Sequence, residues 1–427
     1  MKVMDLILNH VRQFIADIRK PAGLREGEAA WIRGDYESAI SIFMPLAEQG
    51  CAHAQYCLGR MYDDGLVVPM GKTQRSRTQA AKWYGKAAAQ GHVEAQYCVA
   101  DWNPIIKRNP RDFAESAPWL HKAAMQGHAR SQFDLGRAYS SGTHVPKDLV
   151  KTFTWYSKAA AQGHAGAEIA LGKMYLSGNG VPKNYVEAIA WYLKAAERDR
   201  FSAYRLAGLY ATGRGVPQDY TKAAAWYRKA AEMELPVAQL ELGKLYSSGK
   251  GVTRDQGQAF VWFSRAAENE DSEAQCLLGM NFLNGIGISQ DSVQALQWIR
   301  RAAAGRHMPA QIALGDLYVS GLVVPQDYAK AIAWYRMAAQ FSKGSGLFNF
   351  GRMYGNGQGV PKDVAIAYAL ISQAAKTDPQ IASCSYLLNL MAEMTPSQLE
   401  SGQALAQEMQ RVNVLFVLDA RSSPQAD

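Results

Sequence analysis

The chain has 427 residues, of which 48% are hydrophobic, and 46 basic side chains exceed 38 acidic ones, for a net charge of +8. This length is more than one globular core normally sustains, so we expect several domains or an array of repeats. The five cysteines are odd in number and irregularly spaced, and no two form a CxxC pair. This pattern argues against a zinc site and a regular disulfide framework, and it favours a reducing compartment.

The first twenty residues carry an apolar stripe that predicts an amphipathic helix over residues 1–22. Asp5, Asn9, His10 and Arg12 interrupt the continuous apolar run that a secretory signal needs, so we expect no such signal, and no apolar run is long enough to span a membrane. We therefore predict a cytoplasmic protein, with signal-independent secretion left open. The helix is expected to cover the first repeat, and the alternative is contact with a membrane surface or a partner. The stripe consists of Val3, Leu6, Ile7, Val11, Phe14, Ile15 and Ile18.

Tryptophans then mark an internal repeat. Their successive spacings are 36, 36, 36, 35, 36, 36 and 36 residues, and the one short step corresponds to a residue missing between Ala196 and Ala207. A fixed period of this length is the signature of stacked helix–turn–helix units. The marker residues are Trp83, Trp119, Trp155, Trp191, Trp226, Trp262, Trp298 and Trp334.

One unit, residues 165–199, shows the expected anatomy. A first helix is predicted from Ala165 to Leu176, and a Gly-x-Gly-Val-Pro turn at 178–182 ends it. Gly172 lies inside that helix at a cost of about 1 kcal/mol relative to alanine, so its recurrence indicates that a second helix presses on the bare backbone. The equivalent glycines are Gly59, Gly136, Gly243, Gly279, Gly315 and Gly351.

Seven residues before each tryptophan stands a side chain that favours the N-cap of the second helix. We interpret this row as structural caps and not as a catalytic or metal-binding row. The predicted caps are Ser76, Asp112, Asp148, Asn184, Asp219, Asp255, Asp291 and Asp327, with Asp35 and Asp363 in flanking units that lack the tryptophan.

These patterns predict an all-α fold, a right-handed α/α superhelical solenoid. Nine repeats are expected over residues 51–380, after a capping helix pair at 23–50 and before capping helices at 381–411. Thr395 and Gln398 predict a capping box at the start of the last helix. Residues 412–427 hold an apolar run, Val412–Leu418, and a polar tail. This run is expected to pack on the last repeat, and self-association or a strand lent to a partner is the alternative.

The segment LGKMYLSGNGVPKNYVEAIAWYLKAA, in residues 171–196, resembles the Sel-1-like repeat family, relatives of the tetratricopeptide repeats. The resemblance covers about residues 24–411. It implies a bacterial adaptor or scaffold that binds a protein or peptide on the concave face of the solenoid, in signalling, envelope or host-contact processes. A fold resemblance does not name the partner.

Two other functions remain open. A cysteine-rich branch of the family is linked to penicillin binding and hydrolysis, but repeats four and five here contain no cysteine. The combined set of Ser-x-x-Lys, Lys-Thr-Gly and Ser-Asp-Asn motifs that serine β-lactamases carry is not evident either. We therefore expect no enzyme and no cofactor. The third class is a structural spacer in an envelope or secretion assembly.

Two recurring features suggest chemistry but have simpler explanations. His92, His128 and His164 share one repeat position, yet stacked helices are about 8–10 Å apart, too far for these side chains to share a metal ion. We interpret Gly-His as a turn preference. The Gly-x-Gly elements follow no strand and lack a Lys-Ser or Lys-Thr sequel, so they are not nucleotide loops.

Breaks in the repeat are more informative. Repeat one has five extra residues before Trp83, and repeat two loses its turn glycines. Because the two turns belong to adjacent repeats, they should lie side by side, and their cations then form a basic patch. We expect this patch to bind an acidic protein segment or phosphate. The alternative is that these turns are solvent-exposed loops whose sequence has drifted without a function. Nucleic acid is not expected, because no recognition motif is evident. The candidate partner-binding residues are Lys72, Arg75, Arg77, Lys107, Arg108 and Arg111.

Overall fold

A computed structural model describes residues 22–66, 73–101, 110–142, 145–341, 344–411, 414 and 418. Over these residues the chain forms helices and turns, and no strand is present. The chain divides into two compact units, Met1–Arg198 and Asp199–Asp427, and each is described by itself. The all-α repeat solenoid predicted from the sequence is confirmed.

Unit one contains ten described helices, paired as the first and second helices of successive repeats. They are α1 (Ala22–Ile32), α2 (Tyr36–Glu48), α3 (Ala52–Asp63), α4 (Thr73–Ala89), α5 (Val93–Asp101), α6 (Pro110–Met125), α7 (Ala129–Ser141), α8 (Leu149–Ala161), α9 (Ala165–Ser177) and α10 (Tyr185–Ala195). Each helix packs against its neighbours in the sequence, which is the contact pattern of a solenoid.

Unit two continues the same pairing and ends in shorter closing helices. Its described helices are α11 (Arg200–Thr212), α12 (Tyr220–Glu232), α13 (Pro236–Ser248), α14 (Gln256–Glu268), α15 (Ser272–Asn284), α16 (Ser292–Ala304), α17 (Met308–Ser320), α18 (Tyr328–Phe341), α19 (Ser345–Asn356), α20 (Val364–Thr377), α21 (Pro379–Ala382), α22 (Ser385–Glu393) and α23 (Pro396–Arg411). Leu418 is buried in the same core as Leu405 and Met409.

In seven of the nine repeats, a glycine inside the first helix is in contact with a large side chain of the second helix, and Ala100 and Ala207 stand at this position in repeats two and five. A Cβ at Gly243 would lie 2.6 Å from Cδ1 of Phe263, and a Cβ at Gly136 would lie 2.6 Å from Cδ1 of Tyr156. Real Cβ atoms do not approach this closely, so only glycine lets the two helices pack at this distance. The same contact joins Gly59 to Tyr84, Gly172 to Tyr192, Gly279 to Ile299, Gly315 to Tyr335 and Gly351 to Ile371.

Most of the predicted caps are N-caps in the structure. Asp148, for example, accepts a 2.9 Å hydrogen bond from the backbone N–H of Lys151, and this bond lowers the pKa of its carboxyl group. Ser76 and Asp112 are corrections, because α4 and α6 begin upstream and these two residues lie inside them. Pro110 starts α6, as proline favours the first helical position. The caps seen are Asp35, Asp148, Asn184, Asp219, Asp255, Asp291, Asp327 and Asp363.

The capping box at the last helix is also present. The Oγ1 atom of Thr395 accepts from the backbone N–H of Gln398 at 3.3 Å, and Oε1 of Gln398 accepts from the backbone N–H of Thr395 at 2.9 Å. Two backbone donors at the start of α23 are thereby satisfied.

Buried glutamines on the first helices tie each repeat to the one before it. Gln132 is only 4% exposed, and its Nε2 donates to the carbonyl of Ala124 at 3.0 Å, while Gln162 donates to Oε1 of Gln132 at 2.8 Å. Each bond satisfies a polar group that would be costly to bury alone. Gln55, Gln96, Gln239, Gln275 and Gln311 donate to the carbonyl eight residues earlier in the same way.

The turns that join successive repeats use a left-handed residue. In unit one this residue is glycine, as at Gly127 and Gly163, where φ is 95° and 78°. In unit two Glu234, Glu270 and Arg306 take its place, with φ of 59°, 64° and 61°. A side chain in this conformation costs about 1–2 kcal/mol, so these three turns are strained.

We expect Gly243→Ala to lower the free energy of unfolding by up to about 2 kcal/mol. The added methyl overpacks Phe263 by about 1–3 kcal/mol, which exceeds the roughly 1 kcal/mol that alanine gains in a helix. Gly208→Ala is the control, because its nearest neighbour would be the Tyr227 hydroxyl at 3.7 Å. It should raise stability by up to about 1 kcal/mol. Thermal unfolding followed by circular dichroism measures both, and equal effects would contradict the packing argument.

We expect Glu270→Gly to raise the free energy of unfolding by about 0.5–1 kcal/mol, because glycine removes the left-handed strain at some cost in chain entropy. Glu268→Gly is the matched control. This residue ends α14 in a right-handed helical conformation, so glycine there should destabilise the protein by about 1 kcal/mol. Denaturant titration measures the free energy of unfolding of both variants. Destabilisation by Glu270→Gly would refute the argument that the turn at Glu270 is strained.

Candidate functional site: a cationic groove in unit one

The predicted basic patch falls mostly outside the described residues. Lys72, Lys107 and Arg108 are not among them. Arg75 lies in α4 and Arg111 in α6, but their side chains are also outside the description. Arg77 is described, and it is exposed on α4.

A groove lies in unit one along the first helices of repeats three and four, α7 and α9. Its volume is about 440 Å³, which lies in the range of roughly 300–1,000 Å³ typical of ligand sites. Helix α7 contributes Phe133 and Arg137, and α9 contributes Ile169, Ala170 and Lys173. The remaining lining residues are Ser140, Lys147, Leu149, Thr152, Tyr156, Gly166, Met174, Ser177 and Asn179.

Three exposed cations line this groove. Arg137 and Lys173 each follow the glycine of a first helix, so the repeat period places them at equivalent positions on α7 and α9, and Lys147 precedes the cap of α8. Nη1 of Arg137 lies 3.5 Å from Oδ1 of Asp134, and the arginine side chain is 66% exposed. Within the described part of the chain, no carboxylate lies within ion-pair distance of Lys147 or Lys173. The groove therefore offers unpaired positive charge.

The apolar part of the groove is built around Phe133. Its ring stacks on His164 with centroids 4.6 Å apart, and the ring of Tyr156 lies at 5.5 Å. A Cβ at Gly166 would lie 2.9 Å from Cζ of Phe133, so this ring lies against bare backbone of α9. Phe133, Ile169 and Ala170 are half-buried, which leaves apolar surface accessible between the cations.

The recurring histidines are N-caps of the first helices, a role that the turn interpretation missed. Nδ1 of His128 accepts from the backbone N–H of Ser131 at 3.2 Å, and Nδ1 of His164 accepts from that of Ala167 at 3.3 Å. An accepting Nδ1 requires the neutral ring with its proton on Nε2. Burial accordingly lowers the pKa of His164. The described residues contain no group of three or more side chains placed to hold a metal ion.

His92 belongs to a hydrogen-bonded chain that joins three helices. Its Nδ1 accepts from the backbone N–H of Ala95, so Nε2 donates to Nδ1 of His53 at 3.2 Å, and Nε2 of His53 donates to Oε1 of Glu28 at 2.7 Å. The ring of His92 also stacks on Tyr56. Burial, and then the neighbouring His53, lower the pKa of His92 to about 4. The chain therefore ties α1, α3 and α5 together through a neutral ring.

We expect stability to fall as the pH is lowered from 6.5 to about 4. In this window the unfolded chain binds a proton at His92 that the folded state does not bind until its lower pKa is reached. His92→Asn keeps a side chain that caps the helix and removes the titrating group. Its unfolding midpoint should therefore decline less over this window than that of the unchanged protein. Parallel declines would show that His92 does not contribute.

Comparison with known proteins identifies structures that are similar to this one. A search of curated proteins finds no match. A structure of a protective antigen present in uropathogenic Escherichia coli strains, described as displaying an SLR fold, is similar with a TM-score of 0.59 and 26% identity. The similarity covers 91% of this chain and 98% of that one. A Sel1 repeat protein from Oxalobacter formigenes has a TM-score of 0.59 and 30% identity, over 74% of this chain and 90% of its own. Both sources are bacteria, consistent with the predicted origin.

The Sel1 repeat matches the chain nine times; eight matches follow the helix pairs described above, and the match at residues 109–128 holds α6 alone. No helix in the described residues has the length and apolar character needed to cross a bilayer. The matched segments are residues 52–92, 109–128, 129–164, 165–199, 201–235, 236–271, 272–307, 309–340 and 344–376. The chain belongs to the Sel1 repeat family.

Proposed function

We propose that this protein is a non-catalytic interaction scaffold that binds an acidic segment of a partner protein in the groove between α7 and α9. Sel1 repeat proteins are generally protein-interaction scaffolds, and their helical solenoid is typically non-enzymatic. The observation that carries the proposal is the presence of three cations, Arg137, Lys147 and Lys173, along one groove.

Charge favours an acidic partner over other classes. A unit charge 4 Å from a lysine gains about 1 kcal/mol of Coulomb energy in water, and an exposed ion pair contributes about 0.2–1 kcal/mol in total. Lys147 and Lys173 can make such pairs without first breaking an ion pair among the described residues. The net charge of +8 also favours the approach of anionic partners.

The basic patch predicted in repeats one and two is proposed as a second contact for the same acidic partner. Arg77 is its one member whose side chain is described, and it is exposed. Reversal of Arg75, Arg77, Lys107 and Arg108 to glutamate should then weaken partner capture without loss of helicity; unchanged capture would exclude the patch. The cytoplasmic location predicted from the sequence stays a prediction.

We expect the double variant Lys147→Glu, Lys173→Glu to bind acidic peptides at least tenfold more weakly than the unchanged protein. Two attractive contacts become repulsive, and each tenfold change corresponds to 1.4 kcal/mol. Fluorescence anisotropy with labelled peptides of glutamate and aspartate measures the affinity, and the same peptides made with lysine test for charge selectivity.

Lys183→Glu is the matched control. Lys183 occupies the position of Lys147 one repeat later, is also exposed, and does not line the groove. This variant has a charge change of the same kind and should bind as the unchanged protein does. Equal losses in both variants would attribute the effect to net charge alone, and no loss in the double variant would refute the groove as the binding site.

A further inference from the structure

We propose that the groove selects an acidic segment with one apolar side chain, which inserts between α7 and α9 onto Phe133, Ile169 and Ala170. This inference rests on the proposed function, because the cations are taken to hold the acidic residues of the segment. It adds an apolar contact by which the groove would distinguish one acidic segment from another.

The first argument is the small size of two residues on α9: the ring of Phe133 covers the bare backbone of Gly166, and the side chain of Ala170 leaves room beside that ring. Gly166 and Ala170 stand one turn apart on the face that meets the groove. The equivalent pairs in the other first helices of unit one are larger or charged: His53 with Cys57, Glu94 with Cys98, and Arg130 with Asp134. Among the described first helices of repeats one to four, only that of repeat four carries small residues at both of these positions.

The second argument is the surface beneath that space. Phe133, Ile169 and Ala170 remain partly accessible, although Phe133 and Ala170 pack against a buried apolar cluster. The ring of Phe133 is held by His164, Tyr156 and the backbone of Gly166, so the apolar contact surface is pre-formed. A pre-formed apolar surface gains affinity from the burial of one side chain with little ordering cost.

The third argument is the arrangement of charge around this surface. Arg137 and Lys173 come from α7 and α9, the two helices that supply the apolar residues, and Lys147 comes from the segment before α8. A segment whose apolar side chain contacts Phe133 thus has its neighbouring residues beside cations. Acidic residues at those places can form ion pairs with the lysines, whereas basic residues would be repelled by them.

The test compares two labelled heptapeptides of glutamate and aspartate, one with a central phenylalanine and one with a central alanine. The unchanged protein should bind the phenylalanine peptide about tenfold more tightly. Ala170→Leu, which fills the space, should abolish this preference while the alanine peptide still binds. Ile169→Ala is a second variant that removes apolar contact and should reduce the preference without adding bulk.

Ala313→Leu is the control, because Ala313 occupies the same helix position on α17 in unit two. It should leave the preference intact, and circular dichroism checks that each variant is folded. Equal binding of both peptides to the unchanged protein, with both still weakened by Lys147→Glu, Lys173→Glu, would overturn this inference and leave the proposed function standing. Binding of neither peptide would overturn both.

Discussion

The contact between a glycine backbone and a large side chain sets the distance between the two helices of a repeat. At Gly136 the ring of Tyr156 occupies the place of a Cβ, and Gly172 has the same relation to Tyr192. The helix pair can pack this closely only because the glycine has no side chain, which outweighs its poor helix propensity of about 1 kcal/mol. Tyr156 also lines the groove, so the same contact that pairs the helices forms one wall of the proposed site.

Contacts between successive repeats depend on polar groups as well as on apolar ones. Gln132 bridges from α7 to the carbonyl of Ala124 at the end of α6, and Gln162 reaches it from the next turn. At the following repeat Glu168 replaces the glutamine, is 4% exposed, and lies 3.6 Å from Arg198. Because a buried hydrogen-bond partner is costly to lose, these side chains fix how one repeat sits on the next within unit one.

Much of the fold could be predicted because its determinants are local and recur with the period. The capping bond of Asp148 joins residues only three apart, and the capping box of Thr395 and Gln398 spans only four residues. The prediction failed at Ser76 and Asp112 since the helices there start earlier, where the repeat is irregular. The groove was missed for a different reason: its lysines, Lys147 and Lys173, lie in two repeats, and only packing brings them together.

Sequence reasoning assigned function to the places where the repeat breaks, yet the groove lies along repeats three and four, and repeat four fits the repeat pattern well. Gly166 and Ala170 do not break the pattern, because small residues at these half-buried positions leave the period unchanged. The glycine contact that pairs the helices lies on another side of α9, at Gly172. Exposed positions such as Lys173 can therefore change with little effect on that packing. In this solenoid the fold depends on the positions that face neighbouring helices, whereas the proposed binding specificity depends on the groove-facing positions of the first helices, which can vary without disturbing that packing.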